Sequence, residues 1–405
     1  MKRITFKQFL FILPLLTILA VFSVFPIISS FVYTFFDYHT TDPQRAQLFL
    51  TNSFNEPLFH QDGTFLGFFL NDEIHAAPTG EEEIRAIQAR IADFIAPFEG
   101  GSVRRVGNAE ADEIYSFIIG IERRLIEFYA RYPDVEFLRQ EDAFTLLNNM
   151  RRRFIEPNFI GLDNYASLVR DSRFWSALRI TMVFTVISVF LELVLGMALA
   201  LIMNKAIKGI GGVRTVALIP WAIPTAVAAL MWSYLYDGSN GIVAHIFSEI
   251  GLIESPTAML LTASGAMASA ILADVWKTTP YMALLLLAGL QIIDSGLYES
   301  AAIDGSGRIN TFRKITLPLM KSSILVALLF RMLDAFRVYD LIAVLTGGGP
   351  GGATESLSIY AHRIMIGMND FGYGSTVVVA MFVCVAIIAF LFVKILGAEL
   401  LKNED

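Results

Sequence analysis

From Gln8 to Phe36 the chain runs for 29 residues without a charge. A helix needs roughly 20 apolar residues to cross the hydrocarbon core of a bilayer, so everything that follows has to be read relative to a membrane. The basic start, Met1-Lys2-Arg3 with Lys7, would suit a secretory signal, but the apolar part of a signal is about 7–15 residues and ends in a small-residue cleavage site. The segment therefore reads as a retained anchor. Composition points the same way: 55% of residues are hydrophobic, 17% are charged and 33 are Phe. These values exclude a disordered chain and are unlike an ordinary soluble enzyme. The lone cysteine, Cys384, lies in an apolar run, which excludes disulfide frameworks and cysteine-rich metal sites.

Further apolar runs predict spans at Phe174–Met203, Thr215–Tyr236, about Ala263–Leu290, about Ser322–Leu345 and about Tyr373–Leu396. The 39 residues Ser255–Ile293 could hold one span or two short ones, and parity decides between them. Arg308, Arg313, Lys314 and Lys321 follow that stretch, and the positive-inside rule places such a loop in the cytoplasm. One span satisfies this when the chain starts inside. The expected fold class is all-α, a polytopic membrane protein with six transmembrane helices and both termini cytoplasmic. Lysine supports this: none occurs from Gln8 through Asn204, and Lys205 and Lys208 appear where the chain returns inside. Lys277 is the exception, left at membrane depth.

The division expected is a tail and first span over 1–36, an extracytoplasmic insert over 37–172, and a five-helix core over 173–405 with a cytoplasmic loop at about 291–320. Between Asp37 and Glu156 stand 21 acidic residues and 12 arginines, a balance of −9, so the acidic charge of the chain belongs to the insert. No basic stripe suited to nucleic acid occurs. The insert reads as mainly helical. Thr79-Gly80-Glu81-Glu82 has capping-box spacing and precedes Ile84, Ile87, Ile91, Phe94, Ile95 and Phe98. A second apolar stripe from Ile114 to Tyr132 stops at Pro133, and a third takes in Phe144, Leu147, Met150 and Phe154. Arg151-Arg152-Arg153 reads as a solvated face.

Catalytic sets are missing. There is no Gly-Lys-Ser or Gly-Lys-Thr of a phosphate-cradling loop, no Gly-x-Ser-x-Gly elbow, and no histidine pair at helical metal spacing. Gly347, Gly349 and Gly352 fit G-x-G-x-x-G, but they follow a predicted span rather than a strand. No catalytic or metal-binding residue is assigned, and no cofactor is expected on this chain. If the protein moves a solute uphill with ATP, another chain must hydrolyse it.

The cytoplasmic loop carries the most specific signal. It reads Tyr298-Glu299-Ser300-Ala301-Ala302-Ile303-Asp304-Gly305 and, nine residues after the glycine, Ile315-Thr316-Leu317-Pro318. This resembles the E-A-A, three residues, G, nine residues, I-x-L-P signature of the membrane (permease) subunits of binding-protein-dependent ABC importers. Ser300 stands where the family has its first Ala. Gly161-Leu162-Asp163-Asn164-Tyr165, Trp276-Lys277-Thr278-Thr279-Pro280 and Leu345-Thr346-Gly347-Gly348-Gly349-Pro350 are similar to sugar-importing members of the maltose, trehalose and glycerol-phosphate group. The resemblance covers the chain from about Phe159 onward. It implies a translocation path for a sugar or related polyol in a prokaryotic inner membrane. The implied partners are a cytoplasmic ABC ATPase dimer that hydrolyses the ATP, a second permease subunit and an extracytoplasmic solute-binding protein. It also implies that Glu299, Ser300, Ala301, Ala302, Asp304, Gly305, Ile315, Leu317 and Pro318 form the ATPase-coupling loop. Small Ala301 and Ala302 allow close approach, Gly305 permits the turn, and Glu299 is expected near a helix start.

Span five contains Arg331, Asp334, Arg337 and Asp340, spaced by threes, so that their directions drift by about 60° per step around one helix. Charges at membrane depth usually line a cavity or meet a partner. Carboxylates and guanidiniums bind sugar hydroxyls, and rings such as Tyr339 or Trp276 can stack on a sugar face. Arg331, Asp334, Arg337, Tyr339, Asp340, Trp276 and Lys277 are therefore candidates for the substrate path. An internal salt-bridge stripe is the competing reading, and Glu192 and Asp274 carry the same two readings. Two other classes stay open: a secondary transporter, which should show inverted repeats, and a membrane-anchored sensor, which should carry a cytoplasmic output domain.

Overall fold

A computed structural model describes residues 6–402 apart from 43, 77–79 and 206–208. It is 74% helix and 3% strand, so the all-α class holds. The chain opens with α1 (Phe6–Leu19) and α2 (Phe25–Tyr33), joined through a wide turn over Ala20–Val24. Together they give an apolar span, Phe11–Tyr33, no part of which is buried by the rest of the chain. Two compact units follow from the chain's contacts: one of residues 1–31, 165–368 and 373–405, the other of Val32–Asn164 with Asn369–Gly372.

The second unit is built from α3 (Glu56–Ala76), α4 (Glu81–Ile95), α5 (Asn108–Arg131) and α6 (Gln140–Arg151), with a small antiparallel sheet of β1 (Ser53–Asn55), β2 (Val103–Arg105) and β3 (Phe154–Ile155) in the order β2-β1-β3. The apolar stripes fill its core: Ile84, Ile87 and Ile91 of α4 and Ile118, Ile121, Leu125 and Phe128 of α5 are at most 2% exposed. Phe54, fully buried on the central strand, packs its ring 5.0 Å from Phe59, 5.6 Å from Phe98 and 4.9 Å from Phe154. Truncating such a ring costs about 3–5 kcal/mol. The third stripe is shorter than its spacing implies, because Phe154 sits in β3 and pairs with Phe54. Gly80 precedes the first residue of α4, and the capping residue Thr79 lies outside the described residues. The arginine triplet is not a solvated face. Arg153 clamps Asp62 at 2.6 and 3.1 Å and Arg151 pairs with Glu122, which leaves Arg152 exposed.

The first unit contains α7 (Asp163–Arg170), α8 (Ser172–Met203), α9 (Ile210–Ala222), α10 (Thr225–Leu235), α11 (Ile242–Glu249), α12 (Ala258–Leu261), α13 (Ala263–Leu290), α14 (Ser295–Ile303), α15 (Arg308–Thr311), α16 (Leu317–Leu319), α17 (Lys321–Phe336), α18 (Asp340–Leu345), α19 (Leu357–His362) and α20 (Phe371–Lys402). Among the described residues, Phe11–Tyr33 with α8, α13 and Phe371–Ile395 of α20 make four helices that are long and apolar enough to cross a membrane. The number rises to six when two bent pairs count as one span each: α9 with α10, bent by 88°, and Arg308–Leu319 with α17, bent by 69°. Span three is thus broken where the apolar run predicts a continuous helix. Pro224 supplies no N–H and holds Ile223 extended, at φ −72° and ψ 133°. Span five likewise stops at Phe336 and resumes as α18. The core centres on α8 against α13, where Ala200, Ala266, Ala270, Ala273 and Ala283 are buried and small enough for close helix approach.

Candidate functional site

The loop after α13 folds from its own sequence. Asp294 accepts from the Gly296 N–H at 2.9 Å and starts α14. Nine residues later the helix ends in a paired motif, with the Ser306 N–H on the Ala301 carbonyl at 2.9 Å and the Gly305 N–H on Ala302 at 3.1 Å. That closure needs a left-handed residue, and Gly305 has φ +73°. Along α14 only Ala301 is buried; Glu299, Ser300 and Ala302 are exposed, as are Asp304 and Gly305 beyond its end. Glu299 is the fifth helical residue, too far along for the terminal dipole to matter much, which corrects its expected place at the helix start. The Tyr298 hydroxyl meets Thr316 Oγ1 at 3.1 Å and ties the two ends of the loop. Ile315 is half-buried beside it, and Leu317 and Pro318 are exposed. Ile303 and Ile309 stand 87% and 77% exposed, next to exposed Arg308, Arg313 and Lys314. Together they make an exposed surface that is both apolar and basic.

The charges at membrane depth gather on Arg331, whose side chain is 1% exposed. Its Nε and Nη2 donate to Glu192 of α8 at 2.5 and 2.7 Å; Nη2 also reaches Asp274 Oδ2 of α13 at 3.3 Å and Thr278 Oγ1 at 3.2 Å. Nη1 donates to Asp334 at 2.6 Å. Thr278 Oγ1 completes the set, 2.7 Å from Glu192 Oε1 and 2.6 Å from the Asp274 carbonyl, with one proton to donate between the two. One guanidinium therefore joins α8, α13 and α17. Removing a partner from such a buried set leaves an uncompensated charge and costs about 3–5 kcal/mol.

The remaining candidates are placed differently. Asp334 and Arg337 have side chains 63% and 60% exposed and stand 3.9 Å apart. Lys277 is 9% exposed and has no ion pair within 4.0 Å among the described residues. Asp340 opens α18 beyond the break, so the continuous winding expected of the four charges ends at Arg337. Trp276 packs edge-on to Trp232 at 5.5 Å, and Tyr339 lies 5.1 Å from the His362 ring. Neither ring, nor Asp340, hydrogen-bonds to the Arg331 set among the described residues. Thr278 was missed by sequence reasoning; a threonine one turn from Asp274 on an apolar helix was the available signal.

Residues 192–402 match the family model described as binding-protein-dependent transport system inner membrane component. The trehalose/maltose transport permease of Thermococcus litoralis is 45% identical over 240 residues, which is 59% of this chain and 80% of that one. The trehalose transport permease of Mycobacterium tuberculosis is 42% identical over 255 residues, 62% of this chain and 80% of its own. These relatives are transport permeases and not enzymes. Among solved structures, a bacterial ABC transporter for the acidic polysaccharide alginate superposes with a TM-score of 0.53 at 24% identity, over 59% of this chain and 84% of that one, and so shares the fold. The chain belongs to the family of binding-protein-dependent transport system inner membrane components.

Proposed function

We propose that this chain forms one half of the membrane path of an ATP-driven importer for a sugar or related polyol. Residues 37–172 would be the extracytoplasmic insert, residues 173–405 the core, and both termini cytoplasmic, in a prokaryotic inner membrane. The names of the relatives support sugar as the substrate class. On this reading Glu299–Gly305 and Ile315–Pro318 dock on a cytoplasmic ABC ATPase dimer that hydrolyses the ATP. A second permease subunit completes the path, and an extracytoplasmic binding protein delivers the substrate. The acidic insert is the candidate surface for that delivery.

The observation that carries the reading is α14, a capped helix that buries a single residue in its own chain and leaves Ile303 and Ile309 bare beside it. Exposed charges at membrane depth belong on a wet path rather than in lipid, which supports Asp334 and Arg337 as path residues, with Lys277 behind them. Arg331 serves there as a brace and not as a substrate contact, since its side chain is 1% exposed and donates to Glu192, Asp274, Thr278 and Asp334. The test is purification of wild type, Glu299→Lys and Gly305→Asp in mild detergent. Wild type should bring down an ATPase and a second permease, and both variants should lose the ATPase alone. Wild type that purifies free of any nucleotide-hydrolysing chain would contradict the reading and reopen the secondary-transporter class.

A further inference from the structure

The gap between α17 and α18, residues Arg337–Tyr339, takes the Val338 carbonyl out of the helical pattern at membrane depth, where irregular backbone is tolerated only if it is buried in protein or lines a water-filled cavity. The carbonyl of Val338 is satisfied from far along the chain. The Ser356 hydroxyl, fully buried, donates to it at 3.0 Å while accepting from the Ile359 N–H at 3.3 Å as the cap of α19. Each neighbour of Ser356 is tied as well. The Thr354 hydroxyl donates to the Gly349 carbonyl at 2.7 Å and closes the glycine turn. Glu355, 4% exposed, accepts from Arg173 at 2.8 and 2.7 Å and from Arg363 at 2.6 Å, and the other arm of Arg363 holds the Gly347 carbonyl at 2.6 Å. The Leu357 N–H donates to Thr181 Oγ1 at 2.9 Å. Four consecutive residues thus join the glycine turn, two places on α8 and the break in span five.

Asp334 and Arg337 stand at that break. The Arg337 N–H lies on the Asp334 carbonyl at 3.2 Å and the Val338 N–H on Ala335 at 3.2 Å, so a displacement of the Val338 carbonyl reaches Arg337 through Val338, whose N–H shares a peptide with the Arg337 carbonyl. At the other end of the connection Gly347, Gly348, Gly351 and Gly352 all have positive φ, from +55° to +85°. Side chains are disfavoured there, and the turn presents bare backbone on a fixed path. We infer that residues 354–357 are a strap that delivers displacement of the glycine turn to the Asp334–Arg337 pair, with Ser356 and Glu355 as positioning residues for transport. This rests on the proposed reading that Asp334 and Arg337 face the path, and on the proposed topology it puts the input on the side where substrate arrives.

The test uses the full chain with its partner subunits in lipid discs and reads hydrogen exchange over residues 333–343. Gly348→Ala strains the turn at φ +85° and should change exchange at 337–343 about fivefold, the effect of roughly one buried hydrogen bond. In a Ser356→Ala background the same turn substitution should change nothing there, and Ser356→Thr, which keeps the hydroxyl, should restore the response. A merely structural Ser356 predicts faster exchange in Ser356→Ala but an unaltered response to Gly348→Ala, and that result overturns the strap. The path reading is read separately, from Arg337→Cys in a Cys384→Ser chain exposed to a charged, membrane-impermeant thiol reagent. No modification at 337 sinks the path reading and leaves the exchange result to decide the strap.

Discussion

In the Val32–Asn164 unit, several arginines are paired near the surface: Arg85 with Glu81, Arg131 with Glu83 and Arg139 with Asp72 and Asp142, all with arginine side chains 44–60% exposed. In the helical unit, charge is scarce and pooled, with Glu192, Asp274 and Asp334 sharing one arginine that is 1% exposed. The difference follows from solvent. An exposed pair is screened and competes with water, so each is worth about 0.2–1 kcal/mol and any one can be lost. A guanidinium among three helices has no water to fall back on, and its buried partners Glu192 and Asp274 depend on it.

That comparison can be broken most visibly at Arg331. Arg331→Met should destabilise the chain by about 3–5 kcal/mol and lower the recovery of folded protein, whereas Arg331→Met combined with Glu192→Leu and Asp274→Leu should recover part of the loss, because the two buried carboxylates are no longer left without their arginine. Detergent-phase thermal unfolding measures both; equal loss in the single and triple variants would show that Arg331 acts through packing alone. Next comes Asp334→Asn, which should leave unfolding within about 1 kcal/mol of wild type, as its side chain is 63% exposed, yet cut uptake at least tenfold. Wild-type uptake by an assembled Asp334→Asn complex removes that residue from the path.

The insert should respond less. Arg153→Ala breaks the clamp on Asp62, whose side chain is 9% exposed, and should cost about 1–3 kcal/mol, read as faster hydrogen exchange in α3. Smallest is the Arg104 set. Hydrogen bonding from Arg104 holds the Glu110 carboxyl below its usual range. A depressed carboxylate contributes stability above its unfolded value of about 4.3 and loses it as pH falls through the folded value, so α5 should loosen only in acid. Arg104 stays charged at high pH, its own pKa raised by Glu110 and Glu56. An Arg104→Lys variant should lose the pair as pH rises above about 10.4, where wild type keeps it. With side chains 39% exposed on both sides of the Arg104–Glu110 pair, either effect should stay under about 1 kcal/mol.

Much of this was legible from pattern. The 28 residues of α13 match the single span that loop charge had selected, and the isoleucine spacing of α4 and α5 marked buried faces. Hydropathy could not show the breaks at Ile223–Pro224 and Arg337–Tyr339, because it registers apolarity and not whether each N–H finds a carbonyl. α3 was hidden by Gly63 and Gly67 within its apolar period, and strands of two or three residues are too short to display alternation. Glu192, Asp274 and Arg331 were visible as costly charges, but their convergence depends on packing between residues 139 apart in the chain. On the proposed reading Arg331 is a brace, which is the internal salt-bridge alternative that the spacing leaves open.

The most direct measurement is cross-linking from α14 to the ATPase. With Cys384→Ser as background, the chain has no other cysteine, and Ala302→Cys places a thiol on the exposed face beside Gly305. A cross-link to the ATPase subunit is expected in native membranes, with a yield that changes when nucleotide is added. Free modification of that thiol by a small reagent with no cross-link to any nucleotide-hydrolysing chain would contradict it.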